Sequence, residues 1–282
     1  GLTKIRAWAD NAMSDNTALR VYGGDLQGNL WRFDINNTIG ASGYDAHRLV
    51  TFYADTGSGT PQPITSRPEL GEVSSYPVVY VGTGRYLGAP DLTDLAQQTF
   101  YAVKDTMNAT SLGNPRVSTS NFVQQTLTNS TCPSAAVAAR RCSSGQSVRI
   151  ASSNAVNFAT NNGWYIDLPD TGERSTNDPV LALGTLGFTT NVPNASVCTA
   201  GGYSYENFLD YRTGGAVSTA HTVASSRLGN ALATRGVFVR LPNNTVVQLV
   251  RLSDGTTVTS QVPIGSGSGT TRRVSWRELI SE

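Results

Sequence analysis

Along residues 21–35, VYGGDLQGNLWRFDI, apolar and polar side chains alternate, break at a glycine-containing turn, and alternate again. A period of two marks a half-buried strand, and LQGN carries the residues that tolerate a tight turn. The stretch predicts a β-hairpin. Its second strand sets Leu30, Arg32 and Asp34 on one face and Trp31, Phe33 and Ile35 on the other.

The pattern returns three times in degraded form. A second unit joins YPVVYVGTGRYLG to QTFYAVKD. Its near-continuous apolar run over 77–82 predicts a strand buried on both faces, and APDLTDLAQ predicts a short turn or helical loop capped by Asp91. A third runs from GWYIDLPDTGERSTNDPVLALGTLGFTTNVP to GGYSYENFLDYRTGGAV. The fourth, RGVFVRLPNNTVVQLVRLSDGTTVTSQVP, reads as three short strands turned by Asn243-Asn244 and Asp254-Gly255, residues that accept positive φ. Four units of short strands without helical periodicity predict an all-β fold built by radial repetition, the β-propeller solution to unpaired strand edges. A β-sandwich made of the same hairpins is the plainer alternative.

Residues 104–161 break the pattern. The stretch is rich in Ser, Thr, Asn and Ala, with weak strand signals at FVQQTL and SVRIAS. It is too long for an ordinary connection, so an irregular insertion is expected there within one domain spanning 1–282. Cys132 and Cys142 lie inside it. A disulfide between them would close a short loop and contribute about 3 kcal/mol by loop-closure entropy. The alternative is two unpaired thiols. Cys198 is the odd cysteine, either buried and free or paired elsewhere.

Composition narrows the function classes. Charged residues make up 15% of the chain and the net charge is +1, so no strong field points to nucleic acid or an anionic membrane. No apolar run approaches the ~18 residues of a membrane span. No signal peptide opens the chain, and Gly1-Leu2-Thr3 reads as either an artificial or a processing boundary, which leaves room for a lost leader. With two His and no CxxC, a zinc site is not expected. His47 and His221 lie in loop-like stretches without a nucleophile motif, and read as surface residues. DLPDTGERSTNDP gathers Asp167, Asp170, Glu173 and Asp178 around Arg174, the densest acidic patch of the chain. It reads as a turn held by an arginine–carboxylate bond, with a glycosidase-like carboxylate pair or a metal loop as the alternatives.

The strand endings with Asp and Gly resemble the blade signature of quinoprotein-type propellers. On that reading Trp31 and Phe33 point into the groove between blades, and Asp25 fixes the turn after its strand. The motifs RVYGGDLQGNLWRFDI, QPITSRPELG, VVYVGTGRYLG with QTFYAVKD, GWYIDLPDTGER, FTTNVP and the closing RRVSWREL stand in this order along the chain. Together they resemble the C-terminal β-propeller domain of the PilC/PilY family of type IV pilus proteins. The family domain is a seven-bladed modified propeller, and the match to its later part implies about four blades here. The resemblance also implies a non-enzymatic pilus tip and biogenesis factor that supports pilus assembly, twitching motility and surface adhesion. It implies export through the periplasm of a Gram-negative bacterium to the cell surface. The implied partners are minor pilins, the N-terminal part of its own protein, and host or abiotic surfaces. In this family DLPxxGER is a structural feature, which makes Arg174 a structural residue. An integrin-type Arg-Gly-Asp tripeptide, known in some members, does not occur here.

Calcium-responsive members carry a loop of the form DxDxDxxxD just before the hairpin. The corresponding stretch, DNAMSDNTALR, puts Asn11, Met13, Asp15 and Leu19 at ligand positions, with Thr17 as the backbone or water position. Calcium needs six to eight oxygens, and Met13 and Leu19 supply none from their side chains. Asn11, Asp15 and Thr17 remain as metal candidates. The competing reading is a solvated turn in which Asp15 and Asn16 bond their own backbone, and no cofactor is expected. The enzyme alternative is a quinoprotein-like propeller dehydrogenase binding a quinone, against which stands the lack of vicinal cysteines.

Overall fold

The computed structural model describes residues 1–10, 14–37, 39, 44–194 and 201–265. Cys198, Asn11, Met13 and the closing RRVSWREL lie outside the described residues.

The first hairpin grows into a four-stranded antiparallel sheet: β1 (Leu2–Trp8), β2 (Arg20–Asp25), β3 (Asn29–Asp34) and β4 (Ala46–Thr51), in chain order. Then follow β5 (Glu69–Val73), β6 (Tyr76–Gly82), β7 (Thr99–Lys104), β8 (Phe122–Gln125), β9 (Leu127–Thr131), β10 (Ser147–Ala151) and β11 (Gly163–Asp167). The chain continues through β12 (Val180–Ala182), β13 (Thr185–Pro193), β14 (Gly202–Asp210) and β15 (Val223–Gly229) to β16 (Val237–Arg240), β17 (Val246–Arg251) and β18 (Thr257–Gln261). The second sheet has the order β5-β6-β7-β11-β8, the third β12-β13-β14-β15-β10-β9, and the fourth β16-β17-β18. The first strand of each sheet lies against the first strand of the next: β1 beside β5, β5 beside β12, β12 beside β16. That is the radial arrangement of propeller blades, and the sheets form four of them.

Each seam between blades has an apolar cluster and holds an aromatic contact. The second sheet is buried on both faces: Val79, Val81, Tyr101 and Val103 pack with Tyr22, Leu30 and Phe52 of the first blade. Val78, Tyr80, Phe100, Trp164 and Ile166 pack with Leu186, Phe188 and Leu209 of the third. This is why residues 77–82 show no alternation. Phe52 stacks on Tyr101 and Phe100 on Phe188, each with ring centroids 3.9 Å apart. Phe208 meets Phe238 at the third seam at 6.0 Å. Such pairs contribute about 0.5–1.5 kcal/mol beyond the area they bury.

Three expectations are corrected. First, Trp31 and Phe33 do not face a neighbouring blade. In β3 the buried positions are Leu30, Arg32 and Asp34, and Trp31 and Phe33 are half-buried on the face away from the second sheet. Arg32 turns inward because Asp105 waits there: its Nη1 donates to Asp105 at 2.6 Å and Tyr22 donates its hydroxyl to the same carboxylate at 2.7 Å. Second, GWYID does not open the third blade. It is β11, paired with β7, and closes the second. Third, residues 104–161 are not an irregular decoration. β8 pairs in parallel with β11 at the edge of the second sheet, while β10 joins β15 and carries β9 in the third. The disulfide between Cys132 and Cys142 closes the loop between β9 and β10.

The first hairpin turn needs its glycine. Gly28 has φ +78°, and a Cβ there would meet the carbonyl oxygens of Phe52 at 2.7 Å and Gln62 at 2.9 Å. Asp25 organises the same turn, accepting from the amides of Gln27 and Asn29, from Asn29 Nδ2 and from the Trp31 indole, all at 2.9 Å. Burial raises the Asp25 carboxyl, but these donors, the indole first, outweigh it and hold it below the ordinary value.

Candidate functional site

The acidic patch around residues 167–178 does not assemble into a catalytic pair. The fold commits its carboxylates to structural cations, two of them to the same arginine. Asp167 takes Arg116, which also donates to Tyr53 O at 2.7 Å. Glu173 takes Arg149 in a bidentate pair at 2.8 and 2.8 Å with both side chains fully buried, and Asp170 meets the same guanidinium at 3.0 Å. Thr190 donates its hydroxyl to Glu173, and the Arg149 guanidinium lies 3.6 Å from the Tyr205 ring centroid. Arg149 was missed in the sequence reading. Its signal was a charged residue in the middle of the apolar strand SVRIA.

Arg174 is buried, as a structural arginine must be, but its partners correct the expected arginine–carboxylate bond. It donates to main-chain carbonyls: Nε to Gly172 at 2.9 Å, Nη1 to Arg85 at 2.9 Å and Asp91 at 2.6 Å, and Nη2 to Asp94 at 2.9 Å. These bonds clamp the connection between β6 and β7. The connection holds a short 3₁₀ turn, Ala89–Thr93, inside which Asp91 accepts from the amides of Leu87 and Gly88 and from Arg85. The clamped loop displays Tyr86, Leu87 and Leu95, exposed by 44%, 70% and 61%. Tyr86, Leu87, Gly88, Ala89 and Leu92 line a shallow concavity on it.

Asp178 sits where the first strands converge. Lys4 of β1 reaches it at 2.7 Å, the Arg67 amide donates at 2.9 Å, and the Arg235 guanidinium lies 3.9 Å away. Residues from all four blades thus share one carboxylate. Burial raises its pKa, but the Arg67 amide and the Lys4 ammonium outweigh burial and leave it below the ordinary value. A carboxylate depressed by folding stabilises above its unfolded pKa of about 4, and that contribution is lost as pH falls through the folded value. Asp178→Asn is therefore expected to be less stable than the parent by about 1 kcal/mol at pH 7, with the gap closing in acid well below the unfolded pKa of about 4. Urea unfolding under the two conditions checks this; a gap that persists in acid refutes it.

In the loop between β1 and β2, Asp10 accepts from the Trp8 indole at 2.6 Å and from Arg20 Nη2 at 2.8 Å. Asp15 accepts from the Thr17 amide at 2.9 Å and its hydroxyl at 2.6 Å, which lower its pKa. Leu19 closes the hairpin through its amide to Trp8 O. Among the described residues no group of three His, Cys, Asp or Glu side chains could hold a metal ion. His47 lies on β4, cross-strand from Arg32, and His221 precedes β15 in the third blade, so the two histidines share no site. Both are half-buried rather than on the surface.

A radial array of four sheets of three to six strands, mostly antiparallel, with its buried carboxylates committed to structural cations, defines a β-propeller protein whose recognisable features are surfaces and loops. The sequence profile of the PilY1 beta-propeller domain matches residues 5–140. The chain belongs to the PilC/PilY family. It is 31% identical over 236 residues to a type IV pilus biogenesis factor PilY1 homolog of Xylella fastidiosa, covering 75% of this chain and 14% of that protein. It is 31% identical over 251 residues to the type IV pilus biogenesis factor PilY1 of Pseudomonas aeruginosa PAO1, covering 77% of this chain and 21% of that protein. The crystal structure of the P. aeruginosa PilY1 C-terminal domain superposes with a TM-score of 0.66 at 24% identity, covering 93% of this chain and 60% of that one; this likeness shows the shared fold. The chain thus spans about a fifth or less of the length of these curated relatives. No helix among the described residues is long and apolar enough to cross a membrane.

Proposed function

We propose that this chain is a non-enzymatic presentation module of a type IV pilus biogenesis factor, exported to the cell surface and associated with the pilus. In this reading it supports pilus assembly, twitching motility and adhesion. It contacts minor pilins, the rest of its own protein, and host or abiotic surfaces. The observation that supports the reading is the loop between β6 and β7. A buried arginine donates to three carbonyls of that loop and one of its own turn, and the loop displays three apolar side chains to solvent. Exposed apolar groups on a rigid frame suit recognition. The disulfide fits an oxidising compartment.

The test is made in the whole protein and its own bacterium. Leu87→Ser with Leu95→Ser changes only exposed side chains, so folding is expected to be preserved, while surface pili and twitching zones decrease severalfold. Unchanged piliation, twitching and adhesion, both here and on deletion of the whole gene, would overturn the proposal. A quinone absorption band in the purified protein would instead favour the propeller dehydrogenase.

The loop between β1 and β2 is read as calcium-independent. Asp10 is engaged by Trp8 and Arg20, and Asp15 by Thr17. Calcium at about 2 mM, a concentration at which weak extracellular modules bind, is expected to leave the melting temperature unchanged, as is EDTA. A rise of several degrees that Asp15→Ala abolishes would show that Asp15 and Thr17 serve a metal after all.

A further inference from the structure

The loop closed by Cys132 and Cys142 carries Arg141 into the seam between the third and fourth blades. Its side chain is 3% exposed. The guanidinium packs over Phe208, 4.4 Å from the ring centroid, and lies 3.8 Å from Glu206, which is itself buried. Glu206 in turn receives Gln248 Nε2 from β17 of the fourth blade at 3.4 Å. Among the described residues none of Arg141 Nε, Nη1 and Nη2 has a hydrogen-bond partner. A guanidinium carries five N–H donors. Burying all of them unbonded is strongly unfavourable, and the nearby carboxylate recovers only part of what water supplied.

Something must hold this side chain in. Backbone bonds contribute: the Arg141 amide donates to Ala136 O at 2.8 Å at the end of a single helical turn, Ser134–Ala138, and the Cys132 amide donates to Gln146 O at 2.9 Å at the neck of the loop, where Gln146 Nε2 also reaches Arg227 O at 3.0 Å. The apolar contribution is a small cluster in which Cys132, Ala136, Val148 and Val223 pack with Val137, Cys142 and Ile150. The covalent link between Cys132 and Cys142 adds to these bonds, and it is the restraint that a reductant removes. Cys142 is half-buried rather than enclosed, so a small thiol can reach it.

We propose that the Cys132–Cys142 loop is a redox-released latch on the seam between the third and fourth blades, with the unbonded Arg141 driving it open once the disulfide is cut. A dithiol reductant supplies the two electrons. Its thiolate attacks Cys142 Sγ, the Sγ–Sγ bond breaks, and Cys132 leaves as a thiolate. The second thiol of the reductant then displaces Cys142 and closes its own disulfide. The two protons lost by the dithiol end on the two cysteines. With the link gone, Arg141 swings to water and uncovers Phe208, Glu206 and Gln248.

The test is hydrogen–deuterium exchange of the whole chain, oxidised and after treatment with dithiothreitol. Exchange over residues 132–142 and in β17 is expected to rise about tenfold or more, as for a local opening, while β6 and β7 keep their protection. Trypsin should begin to cut after Arg141. Cys132→Ser with Cys142→Ser should reproduce this without reductant, leaving Cys198 untouched. Arg141→Met, which has no donors to hydrate, should keep the loop docked in the reduced protein. Unchanged exchange after reduction would overturn the proposal. So would a uniform loss of protection across β6 and β7, because the link would then be a global staple. Equal opening in Arg141→Met would remove the arginine as the driving group and overturn it too.

Discussion

Arg149→Met should lower the stability of this protein by about 3–5 kcal/mol, the range for breaking a buried ion pair by removing one partner. The size follows from what is left behind. Arg149 and Glu173 have fully buried side chains joined by two 2.8 Å bonds, and Asp170 leans on the same guanidinium at 3.0 Å. Removing the arginine strands one buried carboxylate and one that is 16% exposed. Burial without a counter-charge is what makes the change expensive, more than loss of the bonds themselves. Removing both charges tests this. Arg149→Met with Glu173→Leu should recover much of the loss, because well-packed apolar replacements of a buried pair are often neutral. Urea unfolding of the parent, each single variant and the double variant gives the coupling. A loss below about 1 kcal/mol for Arg149→Met, the value of a surface pair, would show that water reaches this site.

Trp164→Ala should cost a similar amount, about 3–5 kcal/mol, the range for truncating a large buried aromatic. Trp164 is fully buried between the second and third blades, and its indole donates to Tyr211 O at 3.3 Å. Gly214, at φ +71°, lies so close that a Cβ there would sit 2.6 Å from the ring. The neighbours of Trp164 are other blades, so they have little freedom to collapse into the space. Trp31→Ala, in contrast, should cost only about 1 kcal/mol, one hydrogen bond to Asp25 and some half-buried area. Thermal melts of the two variants side by side separate the cases. Equal losses would mean that the face of β3 assigned to the seam is wrong.

The contrast between these tryptophans marks how far the sequence could be read. Both lie in alternating or apolar strands with good turns nearby. The alternation of LWRFDI showed that two faces exist, and in most strands the aromatic face is the buried one. Here the polar face is buried, because Arg32 meets Asp105 and the Asn108 carbonyl inside, and Tyr22 donates to the same Asp105 carboxylate. Asp105 stands 73 residues away in sequence from Arg32, beyond the reach of any local pattern. The acidic turn behaved in the same way. Asp167, Asp170, Glu173 and Asp178 were legible as a cluster, but their cations come from Arg116, Arg149 and Lys4, brought there by the fold from other parts of the chain.

By itself the sequence determined the strands, their turns and the repeating architecture. The strands of the fourth blade turn at Asn244, with φ 63°, and at Gly255, with φ 88°, because those residues accept such backbone angles wherever they stand. Burial of 77–82 on both faces was likewise written in its unbroken apolar run. The tertiary structure alone decided which blade owns β11, how β8 divides from β9 and β10 between two sheets, and which face of β3 turns inward. The physical reason is range. Turn geometry and side-chain period depend on adjacent residues, whereas a strand's partner and its buried face depend on groups that only the folded chain brings within a few ångströms.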